Sequence, residues 1–309
     1  MRYSVRHQTR FDYAFPVRFA RCNLRLHPVD WDGQRVESYR LRLDPVGQLL
    51  AGCDGGYLAI TDRLIVDRPA TKLVIESRST LTVEREAPAC TPSDPSVDQA
   101  ARAAAGQPLL DRMAPANFLF PSPLIAAFPE IASWCAAELS PGRGIVEAGL
   151  ALAHAIQAGF RYDGSATELD TSPAQAFAAR RGVCQDFAQI MISGARSAGL
   201  AAAYVSGYLR TVPPAGKERL VGADATHAWV MLWCGAERGW LGFDPTNGCT
   251  VGSDHIVCAI GRDYGDVAPV DGIFLGRDGQ KIDVAVDVEP LAEDAGAATV
   301  TPPASARAG

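Results

Sequence analysis

The first part of the chain alternates in side-chain character with a period of two, and this pattern constrains the fold more than any other feature. The alternation is clearest over residues 3 to 13, YSVRHQTRFDY, and it recurs in SYRLRLDP and KLVIESRSTLTVE. A period of two places one set of side chains on one face of a strand. Turn-forming sequences, HPVDWDG, DPVG and CDGGY, separate the strands. The region over 1–90 is therefore predicted to be a β-sandwich.

After residue 90 the pattern changes to alanine-rich helical segments and later returns to strands. ACTPSDPSVDQ is typical of a linker, which we place over 91–115. One helix is predicted over 145–158, and a second begins at a Ser172 capping box and ends near Gly182. Strands follow in AAAYVSGYLR, HAWVMLW and GWLGFD. The predicted fold class is α+β, with a core over 116–289 and a disordered Ala/Pro-rich tail over 290–309.

Charge and hydropathy argue against several classes of protein. The 309 residues carry a net charge of −6 and contain no long basic run, so no nucleic-acid partner is expected. No apolar stretch reaches the roughly 18 residues that a membrane helix needs, so no membrane partner is expected either. The opening residues, MRYSVRHQTRFDYAF, lack the apolar centre of a signal peptide. We therefore expect a cytoplasmic location.

One of the eight cysteines stands at the start of a predicted helix. The cysteines are scattered and form no C-x-x-C pair, which argues against a zinc ribbon or a thioredoxin-type site. Cys184, in RRGVCQDFAQIMISGARSAGL, precedes an apolar stripe at helical spacing, which comprises Phe187, Ile190, Met191, Gly194, Ala195 and Ala198. Free backbone N–H groups and the positive dipole end of a helix favour the thiolate, which is the nucleophilic form of cysteine. A buried structural cysteine is the alternative interpretation.

A nucleophilic cysteine requires a base and a group that orients the base. His227 opens HAWVMLW, an alternating run typical of a buried strand, so its side chain is expected to be rigid yet accessible. Asp244 ends the next strand, and the intervening CGAERG predicts a hairpin that brings it beside His227. A structural histidine and an Asx-turn aspartate are the alternatives. The other histidines are assigned to a sheet, a turn, a solvated helix face and the approach to a strand: His7, His27, His154 and His255.

Together these motifs resemble the transglutaminase-like superfamily. GVCQDFA, YVSGY, THAWV and GWLGFDPTN match it in residue type, order and spacing. IGRDYGDVAPVDG resembles the loop that follows the core in the bacterial branch, whose members often carry an N-terminal β-domain. The resemblance implies a papain-like transglutaminase core in which the nucleophile helix packs on an antiparallel sheet. It also implies that Cys184 is the nucleophile, that His227 is the general base, and that Asp244 orients His227.

Four further residues are weighed for the site. Gln185 is a candidate oxyanion donor through its side chain, although the backbone N–H of Cys184 is preferred. Trp229 is predicted to be a core residue or a pocket wall. Tyr264 is predicted to lie at the rim of the site or in a purely structural loop. Asp186 is assigned to capping of the helix N-terminus rather than to catalysis.

The resemblance implies acyl transfer from an amide through a thioester at Cys184, on a peptide or protein substrate. Water as the acceptor gives a cysteine protease or amidase, and an amine gives a protein-glutamine transglutaminase. We favour hydrolysis, because water is always available and nothing in the sequence marks an amine site. A non-catalytic binding or assembly module on the same fold is the third alternative. Neither a metal nor an organic cofactor is expected. Met231 departs from the family pattern, in which this position is often acidic.

Overall fold

The computed structural model describes residues 1–54, 56–108, 111–166, 171–211, 225–277 and 279–291. Within these ranges no helix is both long enough and apolar enough to span a bilayer. The tail predicted over 290–309 lies outside the described residues, except for its first two residues, which belong to the last described strand.

Strands make up the N-terminal region of the chain, as the alternating pattern predicts. They are β1 (Arg2–Val17), β2 (Phe19–His27), β3 (Gln34–Asp44), β4 (Gln48–Asp54), β5 (Leu58–Val66) and β6 (Ala70–Val83). The odd positions at the start of β1 are buried, namely Tyr3, Val5, His7, Thr9 and Phe11. One apolar cluster is formed by side chains from β1 and β6 together with side chains from β2 and β5. This cluster fills the space between the two layers of the sandwich.

Helices and further strands follow. The helices are α1 (Val97–Ala105), a short 3₁₀ helix (Pro115–Phe118), α2 (Pro129–Cys135), α3 (Ile145–Gly159), α4 (Pro173–Ala179), α5 (Cys184–Ser197) and α6 (Tyr264–Val267). The strands are β7 (Arg161–Tyr162), β8 (Arg181–Gly182), β9 (Ala202–Leu209), β10 (Ala225–Trp233), β11 (Trp240–Asp244), β12 (Cys249–Thr250), β13 (His255–Gly261), β14 (Val270–Leu275) and β15 (Gln280–Leu291).

The strands form two large antiparallel sheets and one short parallel pair. The first sheet has the order β15-β1-β6-β3, and the second has the order β12-β11-β10-β9-β13-β5-β2-β14, with β4 paired to β5. The parallel pair is β7 with β8. Helix α5 packs on β9 and β10 of the second sheet, and α3 packs on β11. The predicted fold class, a β-sandwich followed by a helix on an antiparallel sheet, is confirmed.

The two predicted domains share their sheets. In the second sheet β5 pairs with β13, with Ala59 opposite Ala259. In the first sheet β15 pairs with β1 from Arg2–Leu291 to Tyr13–Gln280. Helix α1 lies inside the predicted linker over 91–115, and its Ala100 is fully buried in the core beside the helices. This segment is therefore a packed part of the fold and not a linker, because its apolar side chains are enclosed.

Helix α5 lies at the centre of the C-terminal part. The predicted apolar stripe is buried except at Ala198, which is half-buried after the end of the helix, and every other side chain from Gln185 to Arg196 is buried as well. Helices α2 and α4 cover the side of α5 that faces away from the sheet. A Cβ at Gly194 would lie 2.3 Å from Sγ of Cys135, so α2 approaches the backbone of α5 directly. Enclosure on both sides fixes the position of the first residue of α5.

Helix α4 begins where the sequence predicts and ends earlier. The Ser172 hydroxyl accepts a hydrogen bond from the backbone N–H of Gln175 at 3.4 Å, as expected of a capping box. The helix ends at Arg180, which adopts a left-handed conformation with φ of 52°, and not at Gly182. The guanidinium of Arg180 lies 4.2 Å from the ring centroid of Phe177. The chain then enters β8, and Val183 alone separates β8 from α5.

Candidate active site

Cys184 is the first residue of α5, and a cap at the helix N-terminus fixes its backbone. Oδ2 of Asp186 accepts a hydrogen bond from the backbone N–H of Val183 at 2.8 Å. A Cβ at Gly182 would lie 2.6 Å from that oxygen, so a glycine is needed here for the cap to fit. The geometry agrees with the capping role predicted for Asp186. Gln185 is buried directly after Cys184, and its role as an oxyanion donor stays a prediction.

The imidazole of His227 lies between the thiol of Cys184 and a buried carboxylate. Cys184 forms a side-chain hydrogen bond with His227, which projects from β10. Nε2 of His227 lies 2.8 Å from Oδ2 of Asp244. Because the carboxylate engages Nε2, the ring nitrogen that is left for the thiol is Nδ1. The three residues singled out in the sequence therefore lie together in the order thiol, imidazole, carboxylate.

Asp244 ends β11, is fully buried and accepts five hydrogen bonds. Oδ1 accepts from the backbone N–H groups of Thr246 at 2.9 Å and Asn247 at 3.1 Å. Oδ2 accepts from His227 at 2.8 Å, from Nδ2 of Asn247 at 2.6 Å and from Nε2 of His255 at 3.2 Å. The sequence left an Asx turn and an orienting role as alternatives. The structure contains both contacts, on different oxygens of one carboxylate.

The electrostatics of this group favour a protonated His227. Burial opposes protonation most strongly, but the hydrogen bonds and charges of Asp244 and Cys184 together outweigh it and raise the pKa of His227 to about 10. Burial would raise the pKa of Asp244, but hydrogen bonds from His227, His255 and Asn247 hold that pKa well below its usual range. An imidazolium paired with an ionised carboxylate is the partner that a thiolate nucleophile requires.

Most of the other cysteines are held as thiols. Burial raises the pKa of Cys135 and Cys258 to about 12, raises that of Cys22 and Cys249 to about 11, and also raises the pKa of Cys234. These five side chains therefore stay protonated at neutral pH. Cys53 is half-buried and Cys90 is exposed, and both precede the first helix. Cys184 combines partial exposure with a hydrogen bond to a histidine, which singles it out as the candidate nucleophile.

Three tyrosines surround the sulfur. Tyr264 opens α6 and is half-buried, and Cys184 contributes to the raised pKa of its hydroxyl after burial and Asp271. Tyr204 lies beneath it in β9, with the two rings edge to face at 6.3 Å. Tyr162 in β7 is 58% exposed, and Cys184 raises its pKa after burial does. Tyr264 therefore lies near Cys184, as predicted for a residue at the rim, while Tyr162 was missed because a two-residue strand carries no periodic pattern.

Trp229 belongs to the core and not to a pocket wall. Its side chain is 0% exposed, and its ring lies 6.0 Å from that of His227 and 5.3 Å from that of His255. Gly207 of β9 permits this packing, since a Cβ there would lie 2.6 Å from the indole ring and 2.0 Å from the carbonyl oxygen of Ile256. Trp229 supports both imidazoles from the core side.

His255 is the member of the site that sequence reasoning missed. It opens β13, is buried, and donates to the same carboxylate oxygen as His227. Its local sequence places it only on the approach to a strand. One feature of the sequence could have identified it: His255 directly precedes the apolar run IVCAIG, just as His227 precedes AWVMLW.

Among the described residues, one group of three side chains could hold a metal ion, and it is His227, Asp244 and His255. The separations of 2.8 and 3.2 Å between the Nε2 atoms and Oδ2 are those of N–H···O hydrogen bonds. Asn247 donates to the same oxygen. Protons between nitrogen and oxygen account for this arrangement.

Comparison with known proteins matches both parts of the chain. A family model of the bacterial transglutaminase-like N-terminal region matches residues 3–82, and a model of the transglutaminase-like superfamily matches residues 135–245. An uncharacterised protein of Mycobacterium tuberculosis is 37% identical over 304 residues, which cover 95% of this chain and 94% of that protein. An uncharacterised protein of Mycobacterium leprae is 42% identical over 115 residues, which cover 36% of this chain and 39% of that protein.

A solved structure shares the fold over nearly the whole length. It is called "a Putative Cysteine Protease from Cytophaga hutchinsonii" and superposes with a TM-score of 0.73. The match covers 95% of this chain and 92% of that chain, at 19% sequence identity. The shared fold therefore includes the N-terminal strands as well as the helical core.

Proposed function

This chain belongs to the transglutaminase-like superfamily, and we propose that it is a cysteine hydrolase that cleaves amide bonds in peptides or proteins. Cys184 is the nucleophile, His227 is the general acid and base, and Asp244 orients His227. The observation that carries the proposal is the hydrogen-bonded series from Cys184 through His227 to Asp244 at the N-terminus of a buried helix.

The first half of the reaction forms a thioester. The thiolate of Cys184 attacks the amide carbonyl carbon, and the oxygen of the tetrahedral intermediate takes the negative charge. The backbone N–H of Cys184, at the positive end of α5, is the proposed donor to this oxygen. As the C–N bond breaks, the imidazolium of His227 gives its proton to the leaving amine. The acyl group is then bound to sulfur, and His227 is neutral.

The second half releases the product. Neutral His227 takes a proton from water, and the hydroxide that forms attacks the thioester carbonyl. The C–S bond breaks, the carboxylic acid leaves, and the thiolate and imidazolium are restored. A primary amine could take the place of water in this step, and the product would then be a new amide. Water is proposed as the acceptor because it is present at far higher concentration than any amine.

The proposal is tested by incubating the protein with a peptide library, with and without a small primary amine, and analysing the products by mass spectrometry. Hydrolysed peptides in both samples support the proposal. Peptides that gain the amine in place of water would identify a transglutaminase instead. The variant Cys184→Ala should give no product, while Cys90→Ala, which removes an exposed cysteine, should behave as the wild type. If the wild type gives no product and its Cys184 reacts slowly with iodoacetamide, the chain is a non-catalytic module.

A further inference from the structure

Two histidines share one oxygen of Asp244. Nε2 of His227 lies 2.8 Å from Oδ2, and Nε2 of His255 lies 3.2 Å from the same atom. The two imidazole rings are 6.2 Å apart, and both are buried. The shorter contact belongs to His227, which also contacts the thiol of Cys184. His255 therefore reaches the thiol only through the carboxylate and His227.

His255 is not needed to hold Asp244 in place. Oδ1 accepts two backbone N–H groups, from Thr246 and Asn247, and these fix the rotamer of the carboxylate. Nδ2 of Asn247 holds the second oxygen at 2.6 Å. What His255 adds is one more N–H at the oxygen that faces His227. Its contribution is therefore to the charge on Oδ2 rather than to the position of the side chain.

The two ring nitrogens of His255 have different surroundings. Nε2 faces a carboxylate oxygen, so it carries a proton, and Nδ1 is buried without a hydrogen-bond partner among the described residues. A second proton on Nδ1 would be a buried donor with no acceptor, which is costly. Trp229 packs edge to face on the ring of His255. Its indole nitrogen also lacks a hydrogen-bond partner in the described part of the chain, and because it is a donor it could not accept a proton from Nδ1.

Two further titratable residues lie near His255. Nη1 of Arg85 donates to the backbone carbonyl of His255 at 3.1 Å. Cys249 lies close enough to Asp244 for the carboxylate to contribute to its raised pKa, after burial, and it remains a thiol. Within the described part of the chain, these contacts place four titratable side chains near His255, namely Asp244, His227, Arg85 and Cys249.

We propose that His255 is a positioning residue that acts on His227 through Asp244: its neutral Nε2–H shares Oδ2 and so limits the negative charge that this oxygen presents to the imidazole of His227. The inference rests on the function proposed above. His227 must give its proton to the leaving amine, and a general acid works best when its pKa is not far above the operating pH. Without the N–H of His255, Oδ2 would hold that proton more tightly, because one fewer donor would share its charge. His255 weakens the hold and makes proton transfer easier.

The test is a titration of the full chain labelled with ¹⁵N-histidine, followed by NMR. In the wild type, His255 should show the neutral Nε2–H tautomer at neutral pH, and His227 should titrate far above the ordinary range. In His255→Phe, which keeps a ring but removes the donor, the His227 midpoint should rise by about one pH unit, the size expected for one hydrogen bond to a charged group. In His255→Gln, whose amide N–H can reach Oδ2, the midpoint should stay at the wild-type value.

If His255→Phe merely disrupted the local structure, the His227 midpoint should fall and not rise. A loosened site would weaken the ion pair between His227 and Asp244. His7→Phe is the matched control: His7 is a buried histidine that is hydrogen-bonded to Tyr208 and Thr9, and its loss should reduce stability without moving His227. If His255→Phe does not fold, His255→Asn, whose amide is too short to reach Oδ2, replaces it.

The outcomes separate this proposal from the proposed function. If the His227 midpoint in folded His255→Phe or His255→Asn is equal to or lower than that of the wild type, the role proposed for His255 is overturned. In that case a wild-type His227 midpoint above that of an ordinary histidine still supports the proposed mechanism. An imidazolium or an Nδ1–H tautomer at His255 overturns it as well. A wild-type His227 that titrates near its ordinary value would instead remove the basis of the proposed function.

Discussion

Replacing Asp244 with asparagine tests the proposed mechanism most directly, because five hydrogen-bond donors face this one side chain. A carboxylate accepts at both oxygens, whereas an amide accepts at one and donates at the other. If the amide oxygen keeps the backbone bonds to Thr246 and Asn247, its NH₂ group meets the donors of His227 and His255. If the amide flips, NH₂ meets the backbone donors instead. Neither orientation satisfies the site.

We expect Asp244→Asn to lower both stability and activity. Each buried donor left without an acceptor costs about 1–3 kcal/mol, so the unfolding free energy should fall by about 2–5 kcal/mol. The same substitution in a Ser-His-Asp triad lowers turnover by about four orders of magnitude, and cysteine enzymes tolerate asparagine better, so turnover here should fall about ten- to a thousandfold. The variant also lacks the charge that raises the pKa of His227.

The loss of that charge gives the stability difference a defined pH dependence. A histidine whose pKa is raised to about 10 in the folded state stabilises the fold fully below its unfolded value and loses this contribution as pH rises through about 10. The lowered pKa of Asp244 adds stability above the unfolded value of a carboxyl group, which is lost in acid. The unfolding free energy of the wild type should therefore exceed that of Asp244→Asn by the largest amount between about pH 4 and 6.5. This difference in stability should shrink as the pH rises towards 10.

The assays are thermal unfolding across this pH range and the rate of iodoacetamide reaction at Cys184 as a function of pH. Asp62→Asn is the matched control, since Asp62 is a buried aspartate that accepts from Gly52 at 2.8 Å and from Tyr39 at 3.3 Å within the N-terminal strands. It should lose stability and keep the wild-type alkylation profile. A folded Asp244→Asn protein with wild-type turnover and an unchanged alkylation profile would refute the reasoning and leave Cys184 and His227 as a dyad.

Four further outcomes are expected. Cys184→Ala should abolish turnover and leave the melting temperature within a few degrees of wild type, and retention of more than a few per cent of the activity would mean that another cysteine is the nucleophile. EDTA should leave activity and stability unchanged, and a loss restored by zinc or calcium would contradict a metal-free mechanism. Gly207→Ala should destabilise the protein by about 3 kcal/mol or more in urea unfolding, because the new Cβ would lie 2.0 Å from the carbonyl oxygen of Ile256. If the variant is as stable as the wild type, β9 and β13 can move apart to accommodate the methyl group. A fragment that starts near residue 100 should fail to fold in circular dichroism, because β13, β14 and β15 pair with strands that it lacks, and a folded, active fragment would refute this.

Local patterns in the sequence predict the parts of the site that lie on regular elements. The stripe after Cys184 and the alternation after His227 are short-range signals, and the hairpin between β10 and β11 brings Asp244 within reach of His227. His255 could not be assigned in this way. It reaches Asp244 from β13, which pairs with β9 and β5 and not with β11. In the strand order β10 and β9 lie between β11 and β13, so the contact between the two residues depends on tertiary packing that no local pattern encodes.

The same limit explains the domain boundaries. Period and turn chemistry identify β1, β3 and β6, but they carry no information about which strands pair. The contact of β5 with β13 joins segments about 200 residues apart, and a composition change at residue 90 suggests a boundary where the sheets are continuous. The segment over 91–115 has polar, proline-containing stretches typical of a linker, yet the alanines of α1 are buried.

The pairing of β1 with β15 has a consequence for the order in which the chain is made. During translation β1 emerges long before β15, so the edge of β1 that pairs with β15 stays uncovered until Leu291 has been made. Until then one side of a 16-residue strand presents unpaired backbone groups to other nascent chains. Closing so long a loop is slow, since contacts distant in sequence form late. The first sheet is therefore completed only after Cys184, His227 and Asp244 of the proposed site have been synthesised, and a ribosome-bound chain that stops short of β15 should depend on chaperones to protect that edge.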